Sequence, residues 1–226
     1  MKKLVLAAFI SVLAAFILMA CGGNESAEDD NKNTEQKESD PVAVVNGEEI
    51  PRKEFETQLD GAKKQYEQMG MDVKGKEEQL QKSIIDQMVG LELLKQEAKK
   101  EGYEVSEDEV DKRYEEFTSQ FESEEAQKKA FEESNLTEEK VKDELQQSLV
   151  INKYLKENTE EVKVSEDEMK KQYDTMSEQQ GEDQKMPSYE ESKDQIKQQL
   201  TTQKENEQVK KLIEKLKKDA EVDVKI

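Results

Sequence analysis

The stretch Val42-Ala43-Val44-Val45-Asn46-Gly47-Glu48-Glu49-Ile50 decides the fold, because it predicts a β-hairpin. Mostly β-branched residues precede Asn46-Gly47, the strongest two-residue hairpin signal, and Glu48 to Ile50 can return as a second strand. Far along the chain, apolar and charged residues alternate from Val222 to Ile226, which is the pattern of a half-buried strand. We predict that this late strand pairs with the hairpin and ties the two ends of the chain together.

Between the hairpin and the late strand, the sequence is typical of α-helices. No proline occurs between Pro51 and Pro187, and apolar residues recur at helical spacing in four stripes. The stripes are Phe55, Leu59, Ala62, Tyr66 and Met69; Leu80, Ile84, Met88, Leu91, Leu94 and Ala98; Val110, Tyr114, Phe117 and Phe121; and Val141, Leu145, Leu149 and Leu155. We interpret them first as core faces, with Gly102 as the C-cap of the second helix.

Two near copies mark helix starts. Val105-Ser106-Glu107-Asp108-Glu109-Val110 and Val164-Ser165-Glu166-Asp167-Glu168-Met169 each place serine at the N-cap and glutamate three residues later, which is a capping box. Many helix N-termini share the capping-box residues, so helix capping alone explains the repeat. We therefore infer no function from it.

The last helix is predicted to run from Ser188, in another capping box, to about Lys218. Its apolar residues lie near its two ends, so we expect it to pack at both ends and to be solvated between Leu200 and Val209. Broken heptads argue against the competing interpretation as a coiled-coil dimer.

The N-terminus has the organisation of an export signal. Basic Lys2-Lys3 precede an apolar run from Leu4 to Met19 that is too short for a comfortable membrane span. Leu18-Met19-Ala20-Cys21 contains the chain's single cysteine and resembles a lipobox, which implies removal of residues 1–20 and lipid attachment at Cys21, with acyl chains such as palmitate. An ordinary secretory signal or an N-terminal anchor helix are the alternatives. The lipid would hold the protein on the outer face of the cell membrane, and we expect the cell to be Gram-positive.

After Cys21, the sequence GGNESAEDDNKNTEQKESD at residues 22–40 has seven acidic residues, two lysines and one apolar residue. Such a segment cannot bury enough surface to order itself, so we predict residues 21–40 as a disordered acidic tether. The folded domain is predicted over residues 41–226.

Composition limits the function. The chain carries a formal charge of −20, or −22 once a leader with Lys2 and Lys3 is removed, and this argues against nucleic acid as a partner. Only 33% of residues are hydrophobic, below the usual globular share, which favours thin helical layers with open grooves. With no histidine and no thiol after Cys21, the residues indicate no enzyme, no metal site and no cofactor.

The order of the hairpin, Glu54-Phe55, Leu136-Thr137-Glu138-Glu139, the Ser165 box and Tyr189 to Val224 resembles the SurA/PrsA family of extracytoplasmic folding factors. PrsA-like members carry a histidine-containing parvulin prolyl isomerase domain before the final helix. Here that interval, Asp174 to Met186, is too short for a domain. The resemblance therefore implies a mainly α chaperone module without the isomerase, in which residues 41–174 and 187–226 fold together around a small antiparallel sheet.

The function implied by the resemblance is a membrane-anchored holdase for unfolded or newly secreted proteins. Candidate client contacts are Tyr66, Met69, Met71, Phe117, Phe121 and Phe131. For each of these residues, packing in the core remains the competing interpretation. A structural or partner-binding envelope lipoprotein is the alternative from another class, and a prolyl isomerase ranks below both. The sequence leaves the client and the oligomeric state open.

Overall fold

A computed structural model describes residues 40–71, 73–134, 136–179 and 187–226. The predicted leader, the lipid site at Cys21 and the tether up to residue 39 lie outside these residues. None of the helices in the described ranges combines the length and the apolar character that a membrane span requires.

The described part of the chain is mainly helical with one small sheet, as predicted. In chain order, its elements are β1 (Ala43–Val45), β2 (Glu48–Ile50), α1 (Arg52–Gln68), α2 (Glu77–Lys100), α3 (Glu107–Thr118), α4 (Glu124–Glu133), α5 (Glu138–Asn158), α6 (Glu166–Gln179), α7 (Tyr189–Lys218) and β3 (Val222–Val224). They divide into two compact units: a sheet unit, of described residues up to Tyr154 with Ile213–Ile226, and a helical unit, Leu155–Leu212.

The sheet confirms the predicted closure of the chain ends. Its strand order is β2-β1-β3, and both pairings are antiparallel. Val45 pairs with Glu48 across the hairpin and with Val222 on its other side. Asn46 and Gly47 form the turn with φ angles of 52° and 90°, the left-handed conformation that a tight two-residue turn requires.

Asn46 also joins three elements by hydrogen bonds. Its backbone N–H donates to the Glu221 carbonyl, and the Glu221 N–H donates to Asn46 Oδ1, both at 2.8 Å. Asn46 Nδ2 donates to Gln96 Oε1 at 2.8 Å, and Gln96 Nε2 donates to the Val45 carbonyl at 3.0 Å. The turn is thereby fixed to both the start of β3 and the middle of α2.

The core of the sheet unit lies between the sheet and the first two helices. The buried cluster contains Val42, Ala43, Val45, Ile50, Phe55, Leu59, Ile84, Ile85, Met88, Val89 and Leu93. The C-terminal part of α7 packs on α2 at a close approach, where a Cβ on Gly90 would lie 3.0 Å from Ile213 Cδ1. Asp86 and Lys217 form an ion pair of 3.0 Å between the same helices.

Helix termini follow the predicted signals. Gly102 has φ 79°, and the N–H groups of Gly102 and Tyr103 donate to the carbonyls of Lys99 and Ala98, which is a Schellman C-cap. The Ser106 capping box is complete: Glu109 N–H donates to Ser106 Oγ at 3.3 Å, and Ser106 N–H donates to Glu109 Oε2 at 3.0 Å.

The helical unit is held by a few apolar residues and by polar contacts. Met169 and Ile196 are buried. Lys204 of α7 lies 2.5 Å from Glu168 Oε1, and this hydrogen bond, followed by those from Ser165, lowers the pKa of Glu168 to about 2. Gln208 of α7 donates to the Glu160 carbonyl at 3.1 Å. Between Leu200 and Val209, Gln203, Asn206 and Glu207 of α7 are exposed, as predicted, while Lys204 and Gln208 make the polar contacts described above.

Three predictions from apolar spacing are corrected. Leu91, assigned to the second core stripe, is 44% exposed, since α2 is covered on the face of Val89 and Leu93. The third stripe does not form one helix, because α3 ends at Thr118 and Phe121 lies in the following turn. The β3 side chains are exposed instead of half-buried, because nothing in the described ranges covers them.

The Asn46 contacts yield a first test. We expect Asn46→Gly to keep the turn conformation but to lower the free energy of unfolding by about 1 kcal/mol, because the side-chain hydrogen bonds to Glu221 and Gln96 are lost. Urea unfolding followed by circular dichroism measures the change. Asn46→Asp is the matched control: it retains the acceptor for Glu221 and should lose less. Equal losses in both variants would contradict this role of Asn46 Oδ1.

The close approach at Gly90 yields a second test. Gly90→Val is expected to lower the free energy of unfolding by about 1–3 kcal/mol through overpacking against Ile213. Gly61→Val in α1 is the control, because a Cβ there meets no atom within 4 Å. Adding Ile213→Ala to Gly90→Val should cost less than the sum of the single losses in urea unfolding. Additive losses would show that the two positions do not contact each other.

Candidate functional site

Three phenylalanines of the sheet unit meet in one group, which we call the phenylalanine cluster. The rings of Phe117 and Phe121 lie edge to face with centroids 5.7 Å apart. Phe131 stacks on Phe117 at 6.4 Å and meets Phe121 edge to face at 6.1 Å. These separations are in the range of attractive aromatic pairs. The structure thus brings together three of the six predicted contact residues.

The turn between the end of α3 and the start of α4 brings the three rings together. The Ser119 N–H donates to the Glu115 carbonyl at 2.9 Å as α3 ends, and the Phe121 N–H donates to the Thr118 carbonyl at 3.1 Å. Ser123 then caps α4 by accepting from the Ala126 N–H at 3.1 Å. The chain therefore turns between the helices, and α4 brings Phe131 back against α3.

The three rings differ in exposure. Phe131 is 8% exposed and is the buried member of the cluster. Phe117 and Phe121 are half-buried. The cluster is consequently part core and part surface: two aromatic rings remain partly accessible above a buried third.

Polar contacts brace the helices that carry the cluster. Gln127 of α4 donates to the Tyr114 hydroxyl of α3 at 3.2 Å, and Lys142 of α5 lies over the Tyr114 ring at 5.1 Å. The Lys142 ammonium also lies 2.8 Å from both Asp111 and Glu138. Hydrogen bonding to Asp111, and then to Glu138, raises the pKa of Lys142 above its ordinary value. It links α3 to α5.

Exposed carboxylates flank the cluster in sequence. Exposed acidic residues precede it in α3 and lie in the turn and first residues of α4: Glu115, Glu116, Glu122, Glu124 and Glu125. Arg113 neutralises one of them through a contact of 3.1 Å with Glu116. The exposed residues that flank the accessible rings in sequence, which we call the acidic rim, are therefore predominantly negative.

The other three predicted contact residues lie at the end of α1, which we call the methionine surface. Tyr66 is half-buried, Met69 is exposed and Met71 is 44% exposed. Gly70 at φ 68° closes the helix there, with the Met71 N–H donating to the Tyr66 carbonyl at 2.9 Å. This cap positions two flexible thioethers at the surface.

No group of three or more potential ligands in the described residues is arranged to hold a metal ion.

Comparison with known proteins places the chain in a family. A family model described as the SurA-like N-terminal domain matches residues 1–125, more than half of the chain. The chain belongs to the SurA-like N-terminal domain family. The match includes the methionine surface, Phe117 and Phe121, whereas Phe131 lies beyond it.

A curated relative supports the assignment. The chain is 31% identical over 145 residues to the foldase protein PrsA of Caldanaerobacter subterraneus subsp. tengcongensis. The alignment covers 60% of this chain and 42% of the relative, so it spans less than half the length of that foldase.

Sequence reasoning missed part of how this SurA-like domain builds the site. The helix α4 and the bracing of Tyr114 by Gln127 and Lys142 were not predicted. One usable signal was Ser123 followed by Glu124 and Glu125, an N-cap residue with acids in the first turn. The position of Lys142 over Tyr114 depends on tertiary packing between α3 and α5 and has no local signal.

The difference in exposure within the cluster is testable. We expect Phe131→Ala to lower the free energy of unfolding by about 3 kcal/mol, since it leaves a cavity beneath the other rings. Phe121→Ser should cost less, about 1–2 kcal/mol, because that ring is only partly buried and lies in a turn. Urea unfolding compares the two. A larger loss for Phe121→Ser would show that its ring is core and not surface.

Proposed function

We propose that the protein is a lipid-anchored extracytoplasmic chaperone that holds unfolded, newly secreted polypeptides and acts without prolyl isomerase chemistry. The observation that supports it most is the phenylalanine cluster, with two partly buried rings on a buried third, in a chain of the SurA-like N-terminal domain family. The relative named a foldase supports a role in protein folding.

The two apolar surfaces have the properties that a general client site needs. Aromatic rings offer apolar area with little loss of conformational entropy, and methionine side chains adapt to partners of varied shape. Phe117 and Phe121 would supply the rings, while Met69 and Met71 would supply the thioethers. Contacts of this kind discriminate weakly between sequences, which suits a chaperone with many clients.

The acidic rim would keep the loaded chaperone soluble. Carboxylates around the cluster hold water at its border and repel other copies that carry the same negative charge. They would also attract segments in which lysine or arginine flanks an apolar stretch. Binding of such segments should weaken as salt is raised, because exposed charges are screened.

The anchor and the missing isomerase are further parts of the proposal. The lipobox-like Leu18-Met19-Ala20-Cys21 supports lipid attachment at Cys21 on the outer face of the cell membrane. The short interval from Asp174 to Met186 and the absence of histidine support a chaperone role without isomerase chemistry. The acidic residues 21–40 would act as the spacer between lipid and domain.

The test is suppression of aggregation. The chain without residues 1–20 is mixed in equal amount with a chemically unfolded secreted enzyme, and light scattering follows its aggregation on dilution. We expect the wild-type chain to slow aggregation, Phe117→Ser/Phe121→Ser to lose most of the effect, and Met69→Ser/Met71→Ser to lose part of it.

Leu91→Ser is the matched control, since Leu91 is as exposed as Met71, at 44%, but belongs to neither surface. It should behave as the wild type. An equal loss in all three variants would indicate nonspecific apolar contact, and no suppression by the wild type would refute the proposal. A single stoichiometric partner captured from the envelope would instead favour a structural lipoprotein, and turnover of a proline peptide would contradict the absence of isomerase activity.

A further inference from the structure

A lysine of α5 fixes the first capping box to the helix packed against it. Lys153 Nζ donates to Glu109 Oε2 at 3.0 Å and to the Glu104 carbonyl, also at 3.0 Å. Glu109 is the glutamate of the Ser106 box, and Glu104 lies two residues before that serine. One ammonium group thus links α5 to both sides of the start of α3.

The second capping box has the same contact with α7. Lys204 Nζ lies 2.5 Å from Glu168 Oε1 and donates to the Lys163 carbonyl at 2.9 Å. Glu168 is again the glutamate of the box, and Lys163 again lies two residues before its serine, Ser165. We call each of these two contacts, of a lysine with a capping-box glutamate and the preceding carbonyl, a lysine latch.

The repeat extends to the helices that supply the two lysines. Thr137 caps α5 by accepting from the Lys140 N–H at 3.2 Å, and Ser188 begins α7 in its own capping box. Lys153 follows Thr137 at the same separation in sequence as Lys204 follows Ser188. The pair of α3 with α5 and the pair of α6 with α7 are therefore two copies of one arrangement, and positions counted from the cap residues are equivalent.

The two helix pairs differ in what they bury. The first pair buries four large residues: Val110, Val141, Ile151 and Tyr154. The equivalent residues of the second pair are Met169, Ser192, Thr202 and Glu205. Met169 and Ser192 are buried, but Thr202 and Glu205 are only half-buried. Burial raises the pKa of Glu205, because desolvation disfavours the charged carboxylate. The second pair is therefore the less stably packed of the two.

Polar contacts at the surface carry much of the attachment of α6 to α7. Besides the latch, Lys193 of α7 lies 2.9 Å from Glu166, and the Tyr173 hydroxyl donates to the Pro187 carbonyl at 2.9 Å. Exposed contacts of this kind contribute little stability each. An element that is held by few buried apolar contacts opens at a lower free-energy cost than the core does. The helix α6 has this character.

We propose that α6 is a strap that opens from α7 while the sheet unit stays folded, with Lys204 as the latch that keeps it closed. Opening uncovers Met169 and Ile196, which are 4% and 1% exposed when the strap is closed. The first pair has the same latch but also packs four large buried residues, so it opens only when the sheet unit unfolds. The inference is independent of client binding, since it uses no residue of the phenylalanine cluster or of the methionine surface.

Amide hydrogen exchange of the full chain in a non-ionic detergent tests the strap. We expect the amides of α6 to exchange faster than those of β1 and α2. Low concentrations of urea should accelerate exchange in β1 and α2 but hardly in α6, because a local opening exposes little surface. Exchange of α6 at the rate of the sheet core, with the same dependence on urea, would overturn the proposal.

Variants of the latch identify what keeps the strap closed. Lys204→Met should raise the exchange rate of α6 about fivefold and leave the sheet core unchanged, because both latch contacts are lost. Glu168→Gln should act in the same direction, since glutamine preserves the capping box but not the charge that faces Lys204. Lys204→Arg keeps a cationic donor and should retain most of the protection. An unchanged α6 in Lys204→Met would refute the latch.

Lys153→Met is the matched control in the first helix pair. It removes the equivalent contacts with Glu109 and the Glu104 carbonyl. Because this pair opens only with the rest of its unit, the variant should raise exchange in α3 and in the sheet core together. Faster exchange in α3 alone would show that the two pairs open in the same way, contrary to the proposal.

Thiol labelling at equivalent buried positions is an independent measurement. In a Cys21→Ser background, Met169→Cys and Val110→Cys place single thiols where the native side chains are 4% and 8% exposed. We expect Met169→Cys to react faster with a water-soluble thiol reagent although its position is more deeply buried. Adding Lys204→Met should raise that rate about fivefold. Faster labelling of Val110→Cys, with circular dichroism showing both variants folded, would place the opening in the wrong helix pair.

Discussion

The pairing of β1 with β3 is the constraint on which the sheet unit depends. Strands of three residues do not form a stable hairpin alone, so β1 and β2 need a third strand and a helix to pack on. That third strand comes from the far end of the chain, at an entropic cost of closure that grows only slowly with loop length. Asn46 is central to this pairing. Its left-handed backbone forms the hairpin turn, and its backbone N–H and side-chain oxygen both bond to Glu221 at the start of β3. Once β3 is fixed, the end of α7 must lie against α2, where Gly90 leaves room for Ile213.

A small supply of apolar residues explains why so much of the remaining structure is polar or partly open. Only 33% of the chain is hydrophobic, and the main core already uses the strands, α1 and one broad face of α2. The helical unit is consequently held in part by ion pairs such as Lys204 with Glu168, whose net contribution in exposed positions is small. Where aromatic residues do gather, at Phe117, Phe121 and Phe131, few apolar residues remain to cover them. The phenylalanine cluster is therefore only partly covered because the chain has few apolar residues, and also because a turn separates α3 from α4.

The local parts of the fold and the pairing of β3 with the hairpin could be predicted from sequence, whereas the packing between helices could not. Asn46-Gly47 and Gly102 require positive φ, and the serine and glutamate of each capping box act within one helical turn, so their signals are short-range. Apolar spacing reports which residues share a face, but not whether another element covers that face. Leu91 and Val224 fit core patterns and are exposed for this reason. The meeting of Phe121 with Phe131 depends on a turn between two helices, and this geometry is not encoded in either helix alone.

The phenylalanine cluster bears on how weak contacts can hold a client in the proposed function. Two partly buried rings offer little apolar area, so the cluster alone would release an extended chain quickly. A client long enough to reach the methionine surface of the same unit as well would bind it in an intramolecular step, which raises avidity. The gain would require no further apolar residue in a chain that has few, and each single contact would remain weak and adaptable.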